Sequence, residues 1–336
     1  VFNFRILIKT QNIFKFAVNT KSVVKYKVAI IKVYKNIVVY AAGREERPYI
    51  TNDQRECCPF CAGNENLTPD PSQEVIDKET WLLRSFPNKY PIFSFLGALN
   101  FGYHEIIVET PEHGSDVVSF SDEHYKNLLM FYQDRISAIL AMQKIEAVFF
   151  FKNYGVKAGA SISHAHAQII GADTLPERLL EKYQQDRYYF RDVGICGLCE
   201  QVKNKNTTFC VFETEYFIVQ IPETSRFSYE IEIIPRRHIS GYLELTKLEI
   251  ENLVRVLKKA FGILRIQLKQ FDYNMLFSPT LKNNKFNAGN HFKINIVPRN
   301  SFMGGFELLT GLFVNGVMPK AAAESLRAIY SKQKVV

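Results

Sequence analysis

Residues 153 to 171 read Asn-Tyr-Gly-Val-Lys-Ala-Gly-Ala-Ser-Ile-Ser-His-Ala-His-Ala-Gln-Ile-Ile-Gly. A loop carrying Gly155 and Gly159 runs into an alternating segment. His164, His166 and Gln168 take every second position, with Ala165, Ala167 and Ile169 between them. On an extended strand, residues i, i+2 and i+4 share one face, about 6.5 Å apart. The spacing predicts a strand with two imidazoles and a carboxamide on one face and an apolar opposite face. A half-exposed strand with incidental histidines would look the same. The whole chain has only seven histidines, however, and the rest of it accounts for these two.

The chain repeats itself. EIIVETPEHGSDVVSFSDEHYKNL, from Glu105, aligns without gaps with EIEIIPRRHISGYLELTKLEIENL, from Glu230, and SHAHAQII aligns with NHFKINIV. Each half supplies a Cys-x-x-Cys, one histidine after a strand and proline, and one histidine on a late strand. The separation of His113 from His164 is 51 residues, and that of His238 from His291 is 53. Two thiolates and two imidazoles make a closed tetrahedral zinc site with no position left for water, which is structural rather than catalytic. The expected sets are Cys58, Cys61, His113 and His164, and Cys196, Cys199, His238 and His291. A lone Cys-x-x-Cys would fit a buried pair or a redox motif equally well; its recurrence favours metal. Cys57 and Cys210 have no matching partners and read as ordinary thiols. The chain shows no export signal, and in a reducing, cytoplasmic setting such spacing favours metal over disulfide.

With His164 committed to metal, His166 is left over. Its counterpart in the second half is Lys293, and that of Gln168 is Asn295, so one active strand per chain is expected. A neutral imidazole is a competent nucleophile near pH 7. Gly155 and Gly159 let backbone N–H groups approach a phosphate closely, and Gln168 can donate to a non-bridging oxygen. Phosphoryl or nucleotidyl transfer through a His–phosphorus bond follows. Acyl transfer does not, since no serine or cysteine nucleophile is paired with these histidines.

Bulk properties narrow the field. A chain of 336 residues, 47% hydrophobic, can bury a large core. The net charge of +8 comes entirely from residues 1–40, which hold eight Lys or Arg and no acids, leaving 34 basic and 34 acidic residues elsewhere. A nucleic-acid binder would carry its basic patch on the folded body, so nucleic acid is set aside. No apolar run reaches eighteen residues, so no membrane-spanning helix is expected. Residues 1–22 are expected to lie outside the fold; a basic membrane-surface segment is the alternative. Strands are expected at 81–86, 104–110, 147–151, 230–234, 273–277 and 291–296. Helices are expected near 121–142, 179–187 and 246–268. The two halves would span 23–188 and 189–336.

These residues resemble the galactose-1-phosphate uridylyltransferase family of the histidine-triad superfamily. The resemblance rests on Arg44-Glu-Glu-Arg47-Pro48, Cys58-Pro-Phe-Cys61 with Gly63-Asn64-Glu65, Asn153 with Gly159-Ala160-Ser161, His164-Ala-His166-Ala-Gln168, and Gly305-Phe306-Glu307. It implies an α+β fold of two histidine-triad-like repeats, each an antiparallel sheet with flanking helices, in a pseudo-twofold arrangement. It implies a ping-pong enzyme of galactose metabolism, in which His166 takes a uridylyl group from UDP-glucose and passes it to a second hexose 1-phosphate. Gln168 stands where histidine-triad hydrolases carry a third histidine, which suits transfer over hydrolysis. The resemblance assigns Arg44, Arg47, Asn88, Asn153, Gly159, Ala160 and Ser161 to nucleotide-sugar contacts and Glu307 to the hexose; a homodimer is one possibility, with the oligomeric state left open. Ser301 and Phe306 depart from the galactose enzymes, which carry lysine and tyrosine there. The tail Gly-Phe-Glu-Leu-Leu-Thr-Gly, with the second Cys-x-x-Cys and His238, is more similar to the ADP-glucose phosphorylase branch, which moves an adenylyl group to phosphate. A non-catalytic nucleotide-binding module is the rival of another class; it would bind nucleotide sugar without acquiring a covalent nucleotide.

Overall fold

The structure, a computed structural model, describes residues 27–30, 37–41, 44–49, 58–78, 80–95, 101–204 and 207–333. The expectations for residues 1–22 and for Cys57 lie outside these. Strands β1 (Lys27–Ile30) and β2 (Ile37–Tyr40) form a separate antiparallel pair. The first half continues with β3 (Gln73–Asp77), β4 (Thr80–Pro87), β5 (Gly102–Val108), helix α1 (Asp122–Leu140), β6 (Ala147–Tyr154) and β7 (His166–Ala172). Helices α2 (Glu177–Val193) and α3 (Gly197–Asn204) lead to β8 (Cys210–Glu213), β9 (Phe217–Gln220), β10 (Ile231–Pro235) and helix α4 (Lys247–Leu268). After these come β11 (Tyr273–Phe277), β12 (Thr280–Leu281), β13 (Ile294–Pro298), α5 (Gly305–Thr310) and α6 (Pro319–Gln333).

One antiparallel sheet of eleven strands runs β3-β4-β5-β7-β6-β11-β13-β10-β9-β8, with β12 beside β6. At the middle of the sheet β6 pairs with β11, where Asn153 faces Asn274. Helices α1 and α4 pack on each other over one face of the sheet. Their starts are set locally. Ser121 Oγ accepts the His124 N–H at 3.1 Å, and Thr246 forms a reciprocal capping box with Glu249. Leu128, Leu129, Tyr132, Ile136 and Ile139 of α1 recur at helical spacing and are all but fully buried in the main core. The opposite sheet face carries a smaller apolar cluster of Cys58, Phe60, Cys61, Trp81, Phe86, Ile106, Val108 and Ile162. The site is built against that cluster.

Most expected elements stand where the periodicity put them, and 273–277 coincides residue for residue. Two strands begin later than expected. β7 starts at His166, not His164, and β13 starts at Ile294, not His291. The ladder pairs His166 with Val108, the last residue of β5. Beyond that point β5 turns into Thr110-Pro111, so His164 has no strand to pair with. The alternation of His164 with His166 is therefore not a strand face.

The main core also holds an ion pair. Lys152 Nζ meets Glu109 Oε2 with both side chains fully buried, and Tyr132 Oη donates to Glu109 Oε1 at 2.7 Å. Removing one partner leaves the other charge without compensation. Lys152→Met is therefore expected to destabilise the fold by about 3–5 kcal/mol in chemical denaturation. A loss under about 1 kcal/mol would show that the buried pair is not what holds this part of the core.

Candidate active site and metal centres

The first Cys/His set converges. Cys58, Cys61, His113 and His164 are buried, and their ligand atoms all lie within 4.8 Å of one another. The sulfur-to-Nδ1 distances are 3.7 Å for Cys58–His164, 3.6 Å for Cys61–His164 and 3.3 Å for Cys61–His113. A tetrahedral ion with bonds of about 2.3 Å to sulfur and 2.0–2.1 Å to nitrogen would set this edge at about 3.5 Å, so the set fits a metal of zinc's size. The outer hydrogen bonds are in place as well. His164 Nε2 donates to the Thr110 carbonyl at 2.7 Å, which leaves the Nδ1 lone pair facing the thiols. Asn64 Nδ2 donates to the Cys58 carbonyl at 2.9 Å, and Glu65 accepts both from Gly63 N and from Trp81 Nε1, holding the Cys58–Cys61 turn. Burial pushes the Cys58 thiol up to about 12 and the His164 imidazole down to about 4. A bound cation would reverse the thiol's penalty by pairing with the thiolate.

The second set converges in the same way. Cys196, Cys199, His238 and His291 make four sulfur-to-Nδ1 contacts of 3.3–3.4 Å. His238 Nε2 donates to the Asn287 carbonyl at 2.9 Å and His291 Nε2 to the Pro235 carbonyl at 3.0 Å. This set is the more open one: Cys199 is half-buried and His238 exposed.

Against the smaller apolar cluster lies a cavity of about 280 Å³. His166, Gln168, Arg44, Arg47, Asn88, Gly159 and Ser161 are among its polar lining. Pro59, Phe60, Leu67, Phe86 and Ile106 make the apolar wall. His166 is 5% exposed. Its Nδ1 lies 2.8 Å from the His164 carbonyl, which can only accept, so Nδ1 carries the proton and Nε2 the free lone pair. Phe60, from the cysteine turn, meets the ring edge-on at 5.3 Å between centroids. Burial lowers the His166 pKa, partly opposed by the bond to the His164 carbonyl. One residue thus serves both centres: His164 offers its ring to the thiols and its carbonyl to His166.

The glycine loop needs its glycines. Gly155 and Gly159 have φ of +83° and +84°, and a Cβ on Gly155 would fall 2.2 Å from the Asp272 carboxylate. Asp272 also accepts the Lys157 N–H at 2.6 Å. Asn153 is not among the cavity-lining residues. Its Oδ1 accepts from Asn274 Nδ2 at 2.8 Å, and the same Asn274 amide donates to the Ala158 carbonyl, so the pair braces the loop from behind. Ala160 sits between two lining residues and is buried. Glu307 is not brought to the cavity within the chain; its carboxylate accepts from Gly304 N at 3.0 Å and caps α5.

A second cavity, of about 360 Å³, lies beside the second set, with Lys293 and Asn295 in its lining. Lys293 is ion-paired to Glu232, and Asn295 Nδ2 donates to Glu230 Oε1 at 3.2 Å. No group there offers a free imidazole. Sequence reasoning missed His104 of β5, which lies under the first cavity 3.0 Å from Gln168. Its position on the site face follows from the β5–β7 register, in which Ile106 faces Gln168 and Val108 faces His166.

Comparison with known proteins gives a consistent picture. Residues 38–175 match a family described as the N-terminal domain of a domain of unknown function, DUF4931. The ADP-glucose phosphorylase of Arabidopsis thaliana is 29% identical over 303 residues, covering 85% of this chain and 86% of that one. The galactose-1-phosphate uridylyltransferase of Thermotoga maritima is 27% identical over 311 residues, covering 86% and 94%. A solved GalT-like protein of Arabidopsis thaliana superposes with a TM-score of 0.74 at 30% identity, over 83% of this chain and 93% of that one.

Proposed function

We propose that this chain, which belongs to the galactose-1-phosphate uridylyltransferase family, transfers a nucleotidyl group from a nucleotide sugar through a covalent nucleotidyl-His166. The observation that carries the reading is the His166 ring. Its Nδ1–H is tied to a backbone carbonyl and its Nε2 lone pair is left for the cavity that Arg44, Arg47, Gly159, Ser161 and Gln168 share. Nε2 attacks the α-phosphorus, an N–P bond forms, and the P–O bond to the sugar phosphate breaks, releasing hexose 1-phosphate. An oxygen of the acceptor, a hexose 1-phosphate or inorganic phosphate, then attacks the same phosphorus and returns His166 with its lone pair. Arg44 and Arg47 meet the charge on the phosphates, and the glycine loop and the Gln168 amide donate to non-bridging oxygens.

Both Cys/His sets hold structural zinc in this reading, and neither takes part in a step. The strand order supports two histidine-triad-like repeats, 23–188 and 189–336, related by a pseudo-twofold axis between β6 and β11. A homodimer is part of the proposal. Phe302, Leu308, Leu309 and Leu312 are 60–86% exposed around Glu307, an apolar strip that a second copy can cover. Among the described residues no helix is long and apolar enough to cross a membrane. A cytoplasmic location is part of the proposal, since the two thiol sets need a reducing compartment to stay free for metal.

UDP-glucose is the first donor we assign. ADP-glucose is the second, favoured by the 29% identity to the phosphorylase and by the tail from Gly305 with the second Cys-x-x-Cys and His238. Incubation with each nucleotide sugar alone, followed by intact mass near neutral pH, decides between them. An added UMP supports the first and an added AMP the second. Tight binding of either sugar with no adduct would instead establish a non-catalytic binding module.

A further inference from the structure

His104 has no part in the chemistry described so far, yet it is the group on which the orientation of Gln168 depends. It is 2% exposed. Its Nδ1 accepts the backbone N–H of Ile92 at 3.1 Å, so that nitrogen cannot carry a proton. The proton must sit on Nε2, which lies 3.0 Å from Gln168 Oε1. Asn88 Nδ2 lies 3.2 Å from the same Nε2. The Asn88 amide is itself fixed, since its Oδ1 accepts the Tyr90 N–H at 2.8 Å. Donor therefore faces donor there, and the Asn88 contact is packing without a hydrogen bond. The ring stays neutral: burial and the neighbouring Arg44 charge bring it down to about 3, against the Gln168 hydrogen bond.

A glutamine amide has two ends of nearly equal shape and opposite polarity. Turned one way it offers the cavity two N–H donors; turned the other it offers an oxygen, which would repel a phosphate. We propose that His104 is a positioning residue: by donating its Nε2–H to Gln168 Oε1, it commits the Gln168 amide N–H groups to the phosphoryl oxygens at His166. The inference rests on the transfer reading above and deepens it. It also explains why Asn88, which resemblance assigns to the substrate, is fixed through the same group. Asn88 N donates to the His104 carbonyl at 2.8 Å, tying the 88–92 turn to the residue that aims Gln168.

The test is the rate of covalent loading by UDP-glucose, or by ADP-glucose if that is the donor, without acceptor. His104→Phe should slow loading roughly 10- to 100-fold at saturation, with little change in the half-saturating concentration. His104→Gln, whose amide can donate from nearly the same place, should stay within about threefold of wild type. In a Gln168→Ala background, His104→Phe should change the rate by less than about twofold, because the interaction it serves is gone. Equal effects in both backgrounds would show a merely structural role and overturn the proposal. A readout independent of turnover is the ¹⁵N spectrum of the His104 ring in the full chain at neutral pH. It should show the neutral Nε2–H tautomer, and an Nδ1–H tautomer or an imidazolium would overturn the proposal. If the wild type acquires no nucleotide while that tautomer is present, the transfer reading falls and takes the inference with it. If the wild type and His104→Phe load equally fast, only the role of His104 falls.

Discussion

His166→Gly is expected to acquire no covalent nucleotide and to lose transfer by about 10⁴-fold or more, with metal content and fold unchanged. The size of the effect follows from there being no substitute. Of the seven histidines, His113, His164, His238 and His291 face thiols, and His104 is neutral with both nitrogens engaged. His124 Nε2 donates to the Glu109 carbonyl at 2.8 Å, behind the sheet. Only His166 presents a lone pair to the cavity. Losing a nucleophile outright removes the covalent route, whereas losing an orienting donor only slows it. The fold should survive because the ring is held by one carbonyl and one edge contact, and glycine at the start of β7 keeps its backbone pairing. The phosphoramidate is acid-labile, so mass must be measured near neutral pH or above. An adduct that persists in His166→Gly while the wild type turns over would place the nucleophile elsewhere.

Cys58→Ser is expected to lose one of two zinc equivalents and to destabilise the first half by on the order of 5 kcal/mol or more. Structural zinc contributes about 10–16 kcal/mol in zinc-finger peptides, and domains have only about 5–15 kcal/mol in total. The first centre joins three separate pieces of chain: the 58–61 turn, the 110–113 exit from β5 and the residues before β7. Without it His164 loses its ring contacts, and its carbonyl no longer fixes His166. Activity and stability should therefore fall together, unlike in His166→Gly. Cys196→Ser should lose the other equivalent at a smaller stability cost, because Cys199 and His238 are more exposed and no nucleophile leans on His291. Wild-type protein without zinc would remove the structural assignment. One equivalent retained in Cys196→Ser would confine metal to the first half.

The sequence by itself determined what short-range pattern and self-comparison can carry. The two Cys/His sets were legible because each set recurs at nearly the same spacing, and a metal site constrains spacing. His166 and Gln168 followed by subtraction, once the repeat put Lys293 and Asn295 opposite them. Helices α1 and α4 were legible because apolar periodicity and N-caps are local.

Three things needed the tertiary structure. His164 and His166 share a sequence parity but not a strand, since a strand lasts only as long as its partner, and β5 ends at Val108. Asn153, which the resemblance assigns to the substrate, also braces the glycine loop through Asn274, 121 residues away, a contact created only where β6 pairs with β11. His104 carries no local signature at all. It reaches Gln168 because β5 and β7 pair in one register, and a slip of one residue would turn its ring to the opposite face. Register is a property of two segments at once: neither β5 nor β7 encodes it alone, and in this chain it brings His104 to the Gln168 amide beside His166.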